Sequence, residues 1–491
     1  MTNILKTLII FIGLLGFILT VPPEAYTQDK KKEEKRNKSP NIVLVLCDDL
    51  GYGDLSITGS NLIKTPNIDN MAKEGVQFTN FYSSASVCTP SRAGLLTGRY
   101  PIRTGLDIGV ITPACEYGLP QEEITIGEAL KDLGYRTAII GKWHLGHTED
   151  FWPTKQGFDY YYGLPYSNDM RPLALYQGTK KIEEPVNQST LTERYTKQAI
   201  HFIKENKDRP FFVFLSHTSP HIPLYTSRRF TGISEAGLYG DVVETIDWSM
   251  GELLATLKRM GIDDKTLVIF TSDNGPWFEG STNGSHGRKA TAWEGGFHVP
   301  FIARWPGHIP KGKTSDAISM NIDLFPTLVE LAGGQIQANH PIDGRNMWPL
   351  LQGGNESPHD CLYYFHNAEL CAVRTQDWKL VVHGKYTSVP DVRTFLNGNI
   401  IGRWIAKGIC PGLKEAETIA PWDKYKYWQY WLLFNIKRDP EENYSLARNN
   451  PKVLEHMKKL IYKGREEFAE QAKENMLPNI KKGGGPKPSK D

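Results

Sequence analysis

The chain has 491 residues, 40% of them hydrophobic and 23% charged, the balance of an ordinary globular protein with room for one large domain and a smaller one. Its formal net charge of +2 comes without a basic stripe interleaved with aromatic residues. That excludes nucleic acid as the expected partner and leaves any anion to be met by local charge.

In chain order, Lys6 precedes the apolar run Thr7 to Val21, "TLIIFIGLLGFILTV", and the polar stretch "QDKKKEEKRNKS" follows. This is the layout of a secretory signal, expected over residues 1–27, with a solvated spacer over 28–40. The run is shorter than the ~20 residues a spanning helix needs, so a periplasmic or secreted protein is expected, with no stable membrane insertion after signal cleavage. No cysteine precedes Cys47, which argues against a lipoprotein anchor. The six cysteines (Cys47, Cys88, Cys115, Cys361, Cys371, Cys410) form no dense disulfide framework, no C-x-x-C pair and no zinc-ligand spacing, and a Cys361–Cys371 bridge stays open.

Short runs rich in Val, Ile, Leu and Phe then alternate with segments of helical period. The runs are Asn41–Cys47, Arg136–Gly141, Phe211–Ser216, Thr266–Ser272 and Val299–Trp305. The helical segments follow Pro66 and begin at Thr125, Thr192 and Tyr239. Apolar runs of this kind are strands of a parallel sheet covered on both faces, so the fold class is α/β, with a large central mostly parallel sheet flanked by helices.

Ligands of open α/β sheets bind outside the carboxyl ends of the strands. The first run ends in Asp48 and Asp49, the second in Lys142 and His144, the third in His217 and His221, and the fourth in Asp273 and Asn274. Four consecutive strand exits with ionisable groups are hard to explain as solvated loops. Asp48, Asp49, Asp273 and Asn274 form a set of oxygen donors that would repel itself without a hard cation, which points to Ca²⁺ or Mg²⁺ rather than zinc. Arg92, Lys142, Lys289 and the histidines oppose it, and metal plus cations describe a pocket for a tetrahedral oxyanion such as a sulfate or phosphate ester.

Within "SVCTPSRAGLLTGRY", Thr89 and Pro90 read as N-cap and first helical residue, which sets Cys88 just ahead of a helix N-terminus that favours an anion. A soft thiolate is nonetheless a poor companion for a hard cation. Cys47, in an apolar run, reads as core.

"CTPSRAGLLTGRYP" resembles the C-x-P-S-R signature of the formylglycine-dependent type I sulfatases, arylsulfatase-like members of the alkaline phosphatase superfamily. The resemblance continues through "NIVLVLCDDLGYGDLS", "TAIIGKWHLG", "GFDYYYGLPYSND", "HTSPHIPL", "SDNGP" and "GRKATAWEGGFHVPFIARWPG", from Asn41 to about Ala447. It implies an alkaline-phosphatase-like fold and conversion of Cys88 to Cα-formylglycine, whose hydrate supplies an oxygen nucleophile in place of the sulfur. It further implies that Asp48, Asp49, Asp273 and Asn274 hold Ca²⁺ with the modified Cys88. Arg92 would steady the hydrate, Lys142 and Lys289 would grip the sulfate, His221 would protonate the leaving alcohol, and His144 would assist the hydrate or the later breakdown of the sulfated intermediate. Ser167 would lie near the sulfate, while His217 is either a further substrate contact or a structural partner. The implied partners are a sulfated carbohydrate (ulvan, another algal glycan or a glycosaminoglycan) and a formylglycine-generating or sulfatase-maturing enzyme. A phosphonate or phosphodiester hydrolase of the same superfamily, and a glycan-binding protein with unmodified Cys88, stay open as alternatives.

The catalytic domain is expected over 41–350 and a C-terminal subdomain over 351–478, with a disordered tail over 479–491. Asp323–Gly334 reads as a helix closed by glycines. "WKLVVHG" and "WLLFNIKRDPEENYSLA" read as strands of a smaller antiparallel sheet, followed by an amphipathic helix from Pro451 to about Asn475. The Trp- and Tyr-rich stretch between those strands either packs the subdomain or, with Arg393, Arg403 and Lys407, walls a sugar cleft.

Overall fold

The computed structural model describes residues 39–383 and 430–473. The expected signal and most of the expected spacer, the aromatic stretch with Arg393, Arg403, Lys407 and Cys410, and the expected tail lie outside the described residues.

Apolar alternation builds the sheet. Along β1 (Asn41–Cys47), Ile42, Leu44 and Leu46 enter one core cluster while Val43, Val45 and Cys47 enter another, so both faces are covered. The other strands of this sheet are β2 (Val76–Phe78), β4 (Arg136–Lys142), β5 (Tyr160–Leu164), β6 (Leu175–Gln177), β7 (Lys180–Glu183), β8 (Phe211–Ser216), β9 (Thr266–Ser272), β10 (Phe301–Arg304) and β11 (Lys313–Ser315). Their order is β11-β2-β10-β9-β1-β8-β4-β5-β6-β7. The centre, β9-β1-β8-β4-β5, is parallel throughout. β10, expected to continue the parallel set, is antiparallel to both neighbours. The connection from β9 holds only the short helix Glu294–Phe297, and without a crossover helix a neighbouring strand runs antiparallel.

A two-stranded sheet pairs β3 (Phe81–Tyr82) with β12 (Ser319–Met320). The third sheet is antiparallel, in the order β13 (Leu362–His366), β14 (Glu369–Arg374), β15 (Trp378–His383) and β16 (Tyr430–Asn435), as the two late apolar runs predict, and the helix Pro451–Glu467 packs on it. Cys361 and Cys371 are free thiols. Leu362 pairs with Arg374, which sets Cys361 well out of register with Cys371 and excludes the bridge left open above.

At the carboxyl edge of the central sheet the strands approach too closely for a side chain. Gly141 has φ +114°, and a Cβ there would lie 1.7 Å from Ser216 O of β8. Gly141→Ala is therefore expected to destabilise the protein by ~3 kcal/mol or more and to displace Lys142. Denaturant unfolding checks this; an unchanged midpoint would contradict it.

Candidate active site

Four adjacent parallel strands end at one edge. β9 delivers Asp273 and Asn274, β1 delivers Asp48 and Asp49, β8 leads to His217 and His221, and β4 ends in Lys142 with His144 two residues on. Asp49 (φ 66°) and His144 (φ 62°) hold left-handed backbone that non-glycine residues seldom adopt, as does Ala290 (φ 67°) beside Lys289. The Ala290 N–H donates to Ser86 O at 2.8 Å, which ties the Lys289 loop to the segment before Cys88.

Cys88 is itself the first residue of the helix Cys88–Thr97, with Val87 as N-cap and no side-chain cap. This corrects the capping read for Thr89. The Thr89 hydroxyl is engaged elsewhere, donating to His144 O at 2.9 Å and accepting from the Ile111 N–H at 3.0 Å. Tertiary partners outcompeted the local cap, and Cys88 still stands at the helix N-terminus.

The Cys88 Sγ lies 3.4 Å from Asp48 Oδ1 and 3.4 Å from Lys289 Nζ. Lys142 Nζ donates to Asp48 Oδ2 at 2.6 Å and reaches Ser167 Oγ at 3.3 Å. Lys289 Nζ binds Asp49 at 2.8 Å, and Asn274 Nδ2 donates to Asp49 Oδ1 at 2.7 Å. Arg92, fully buried, binds Asp273 Oδ2 through Nε (3.0 Å) and Nη2 (2.8 Å) and donates through Nη1 to Ser216 Oγ at 2.6 Å. Three carboxylates therefore face three cations.

Burial alone would raise the Asp48 carboxyl, but Lys142, His221, Arg92 and Lys289 hold it well below the usual range. Burial pushes the Cys88 thiol far up, against Lys142 and Lys289, so an unmodified Cys88 keeps its proton at neutral pH. Burial opposes the charged forms of Lys142 and Lys289 as well, yet Asp48 and Asp49 respectively raise them and keep them charged.

The histidines divide. A carbonyl only accepts, so the contact of His221 Nδ1 with Ile222 O places the proton on Nδ1 and leaves Nε2 facing Asp49 Oδ2 at 3.7 Å. His144 Nε2 donates to Ile111 O at 2.9 Å, and its buried Nδ1 has no partner. His217 is not brought into the cluster. Its ring lies 3.5 Å from Ser249 Oγ and beside Tyr195, on the helix-covered face, and burial lowers it to about 3.

Asp48, Asp49, Cys88 and His221 offer ligand atoms that all lie within 4.8 Å of one another, a group that takes in His221 and leaves out the expected Asp273, whose two carboxylate oxygens already accept from the Asp49 N–H (3.1 Å) and from Arg92 (3.0 Å). Asn274 adds a buried Oδ1 without a partner. Hard oxygens dominate the set, so the residues present fit a divalent cation of the Ca²⁺ or Mg²⁺ type. Sequence reasoning missed the supports behind them. Ser216 accepts from Arg92, the Ser91 hydroxyl donates to Asp273 O, and Asn321 Nδ2 donates to Ser91 Oγ at 2.9 Å. It also missed Lys379 and Glu442 of the smaller-sheet region, buried against Glu294, which follows the Lys289 loop: Lys379 Nζ meets Glu442 Oε1 at 2.9 Å, and Glu442 Oε2 accepts from the Glu294 N–H at 2.8 Å. Ser91, Lys379, Glu442 and Glu294 stood inside quoted segments and Ser216 ended a quoted run, yet nothing local marked them as supports; Asn321 stood in none of them.

A parallel sheet whose carboxyl edge gathers oxygen donors, cations and a helix-terminal cysteine defines a hydrolase of tetrahedral oxyanion esters. The chain belongs to the sulfatase family, the type I sulfatases of the alkaline phosphatase superfamily, and is a sulfuric ester hydrolase: the sulfatase family model matches residues 40–334. The models for the N-sulphoglucosamine sulphohydrolase C-terminal region and the C-terminal region of aryl-sulfatase match 284–393 and 357–482. N-acetylgalactosamine-6-sulfatase of Mus musculus is 36% identical over 464 residues, covering 86% of this chain and 87% of its own. The structure of PsFucS1 sulfatase from Pseudoalteromonas sp. aligns with a TM-score of 0.73 at 28% identity, over 90% of this chain and 93% of that one. Ps i-CgsB in complex with k-i-k-neocarrahexaose aligns with a TM-score of 0.71 at 29% identity, over 87% and 92%.

Proposed function

We propose that this protein is an exported sulfatase that removes sulfate from a sulfated polysaccharide or oligosaccharide, with Cys88 matured to Cα-formylglycine and Ca²⁺ held by Asp48, Asp49, Asp273, Asn274 and residue 88. The observation that carries this reading is the buried Cys88 Sγ between Asp48 Oδ1 and Lys289 Nζ, each at 3.4 Å. The relative named N-acetylgalactosamine-6-sulfatase and the neighbour in complex with k-i-k-neocarrahexaose support a carbohydrate ester. The signal-like N-terminus supports export.

Formylglycine at residue 88 would supply, as its hydrate, one oxygen as nucleophile toward sulfur and a second whose proton loss would expel sulfate and restore the aldehyde, so that one hard hydrolysis becomes a displacement followed by an elimination. Ca²⁺ held by the ligand set would supply Lewis-acid charge. The protein's own groups do the rest. Lys142 and Lys289 meet the sulfate oxygens, with Ser167 beside Lys142. Arg92 fixes Asp273 and the edge of the cradle. His144, bare at Nδ1, can take a proton from residue 88. His221, bare at Nε2, can carry a proton to the leaving alcohol. Three carboxylates against three cations leave the site balanced, so a divalent ion makes it net positive toward an anionic ester.

Chelation is expected to abolish turnover, and Ca²⁺ to restore it better than Zn²⁺, because the donors are hard oxygens. Sulfate release from an aryl sulfate after dialysis against each metal measures this; preferential rescue by zinc counts against the ligand set.

A further inference from the structure

Lys289 sits on a stretch with no regular structure of its own. Between β9, which ends at Ser272, and the short helix that begins at Glu294, residues 273–293 form neither helix nor strand. Loops of that length are uncommon in compact domains, and a loop that must be ordered each time a ligand arrives weakens the binding. The part that carries Lys289 is nevertheless fastened at both ends, and each time to the run Asp439–Glu442 after β16, which the chemistry above does not use. At one end the His286 ring is bonded to the Glu441 backbone and packs on Trp293, with ring centroids 4.3 Å apart. At the other, Glu442 Oε2 accepts from the Glu294 N–H at 2.8 Å. The Gly295 N–H donates to His286 O at 2.7 Å, which closes residues 286–295 into a loop.

Glu442 is 3% exposed and holds left-handed backbone, φ 53°, a conformation that persists only where the surroundings over-determine it. Lys379 Nζ, fully buried on β15, lies between two carboxylates, 2.9 Å from Glu442 Oε1 and 3.1 Å from Glu294 Oε1. Glu294 also accepts from the Tyr82 and Tyr364 hydroxyls, at 2.8 and 2.9 Å, and faces Arg374 Nε at 3.4 Å.

We propose that Glu442, oriented by Lys379, is a positioning residue for Lys289: its oxygen closes the 286–295 loop and holds the lysine ready for sulfate. The inference rests on the reading of Lys289 as a sulfate contact. Burial raises the Glu442 carboxyl to about 7 against the pull of Lys379, and in either protonation state one oxygen stays an acceptor for the Glu294 N–H. The placement of that oxygen, rather than the charge behind it, is therefore what the loop requires.

Inorganic sulfate is titrated calorimetrically into the Ca²⁺-loaded protein, and the KM of p-nitrophenyl sulfate is measured on the matured enzyme. Glu442→Gln keeps the acceptor and should stay within ~2-fold on both. Glu442→Asp keeps the charge but draws the oxygen back by one methylene, and should weaken both. Lys379→Met with Glu442→Leu removes the acceptor and its cation together, leaving Glu294 its Arg374 partner. It should weaken sulfate ~10-fold and raise KM likewise, with kcat little changed. Added to Lys289→Ala, the same two substitutions should cost no further sulfate affinity, because the group they displace is already gone. A further ~10-fold loss in that background, a lower melting temperature with sulfate affinity unchanged, or a harmless Asp beside a costly Gln overturns the proposal. A Lys289→Ala variant that binds sulfate as the parent does overturns instead the reading of Lys289 beneath it.

Discussion

Cys88→Ala is expected to abolish sulfate-ester turnover and to leave the fold intact. The Sγ touches Asp48 and Lys289 and lies at the first residue of its helix, where alanine keeps the backbone and adds no bulk. The thiol of unmodified Cys88 is held protonated by burial, so it cannot serve as a thiolate nucleophile at neutral pH. The proposed reading accordingly assigns the activity to an oxygen species at residue 88. Mass spectrometry of the peptide containing Cys88 should show an aldehyde in place of the thiol in active preparations. Retention of more than about one per cent of wild-type kcat/KM by Cys88→Ala would sink the formylglycine reading.

His221→Ala should cost most where the leaving group is worst. General acid catalysis contributes ~10² to 10⁴-fold, and nearly all of that factor should appear with a sugar sulfate and little with a nitrophenyl sulfate, whose phenolate departs unaided. Burial first, and Lys289 next, hold His221 below its ordinary value, so the protonated fraction grows as pH falls. The wild-type kcat/KM on the sugar ester should therefore rise toward acid pH, and His221→Ala should flatten that limb. Equal losses on both esters would make His221 a sulfate contact and turn attention to His217, although its ring now faces Ser249.

The sheet and its catalytic edge were legible because both are written locally. Apolar runs that end in charge mark strands and the side on which a ligand meets them, and Asp48, Lys142 and Asp273 needed no further information. What escaped depends on distant segments. The direction of β10 follows from the missing crossover, the Thr89 hydroxyl is claimed by His144 and Ile111, and His217 turns toward Ser249 because two helices cover that face. Ser216 and Asn321 look like any polar residues until the fold sets them behind Arg92 and Ser91.

Under the proposed conversion of Cys88, its depth imposes an order on the protein's biosynthesis. At 2% exposure, with the Lys289 loop fastened to Ser86 just before it, the thiol cannot enter the catalytic cleft of a second protein without opening the loops around it. Under the proposed maturation, the modifying enzyme would have to reach this segment before β1, β4 and β9 close around it. Chains that folded first would keep the sulfur, so the proportion of working enzyme would follow a race between oxidation and folding.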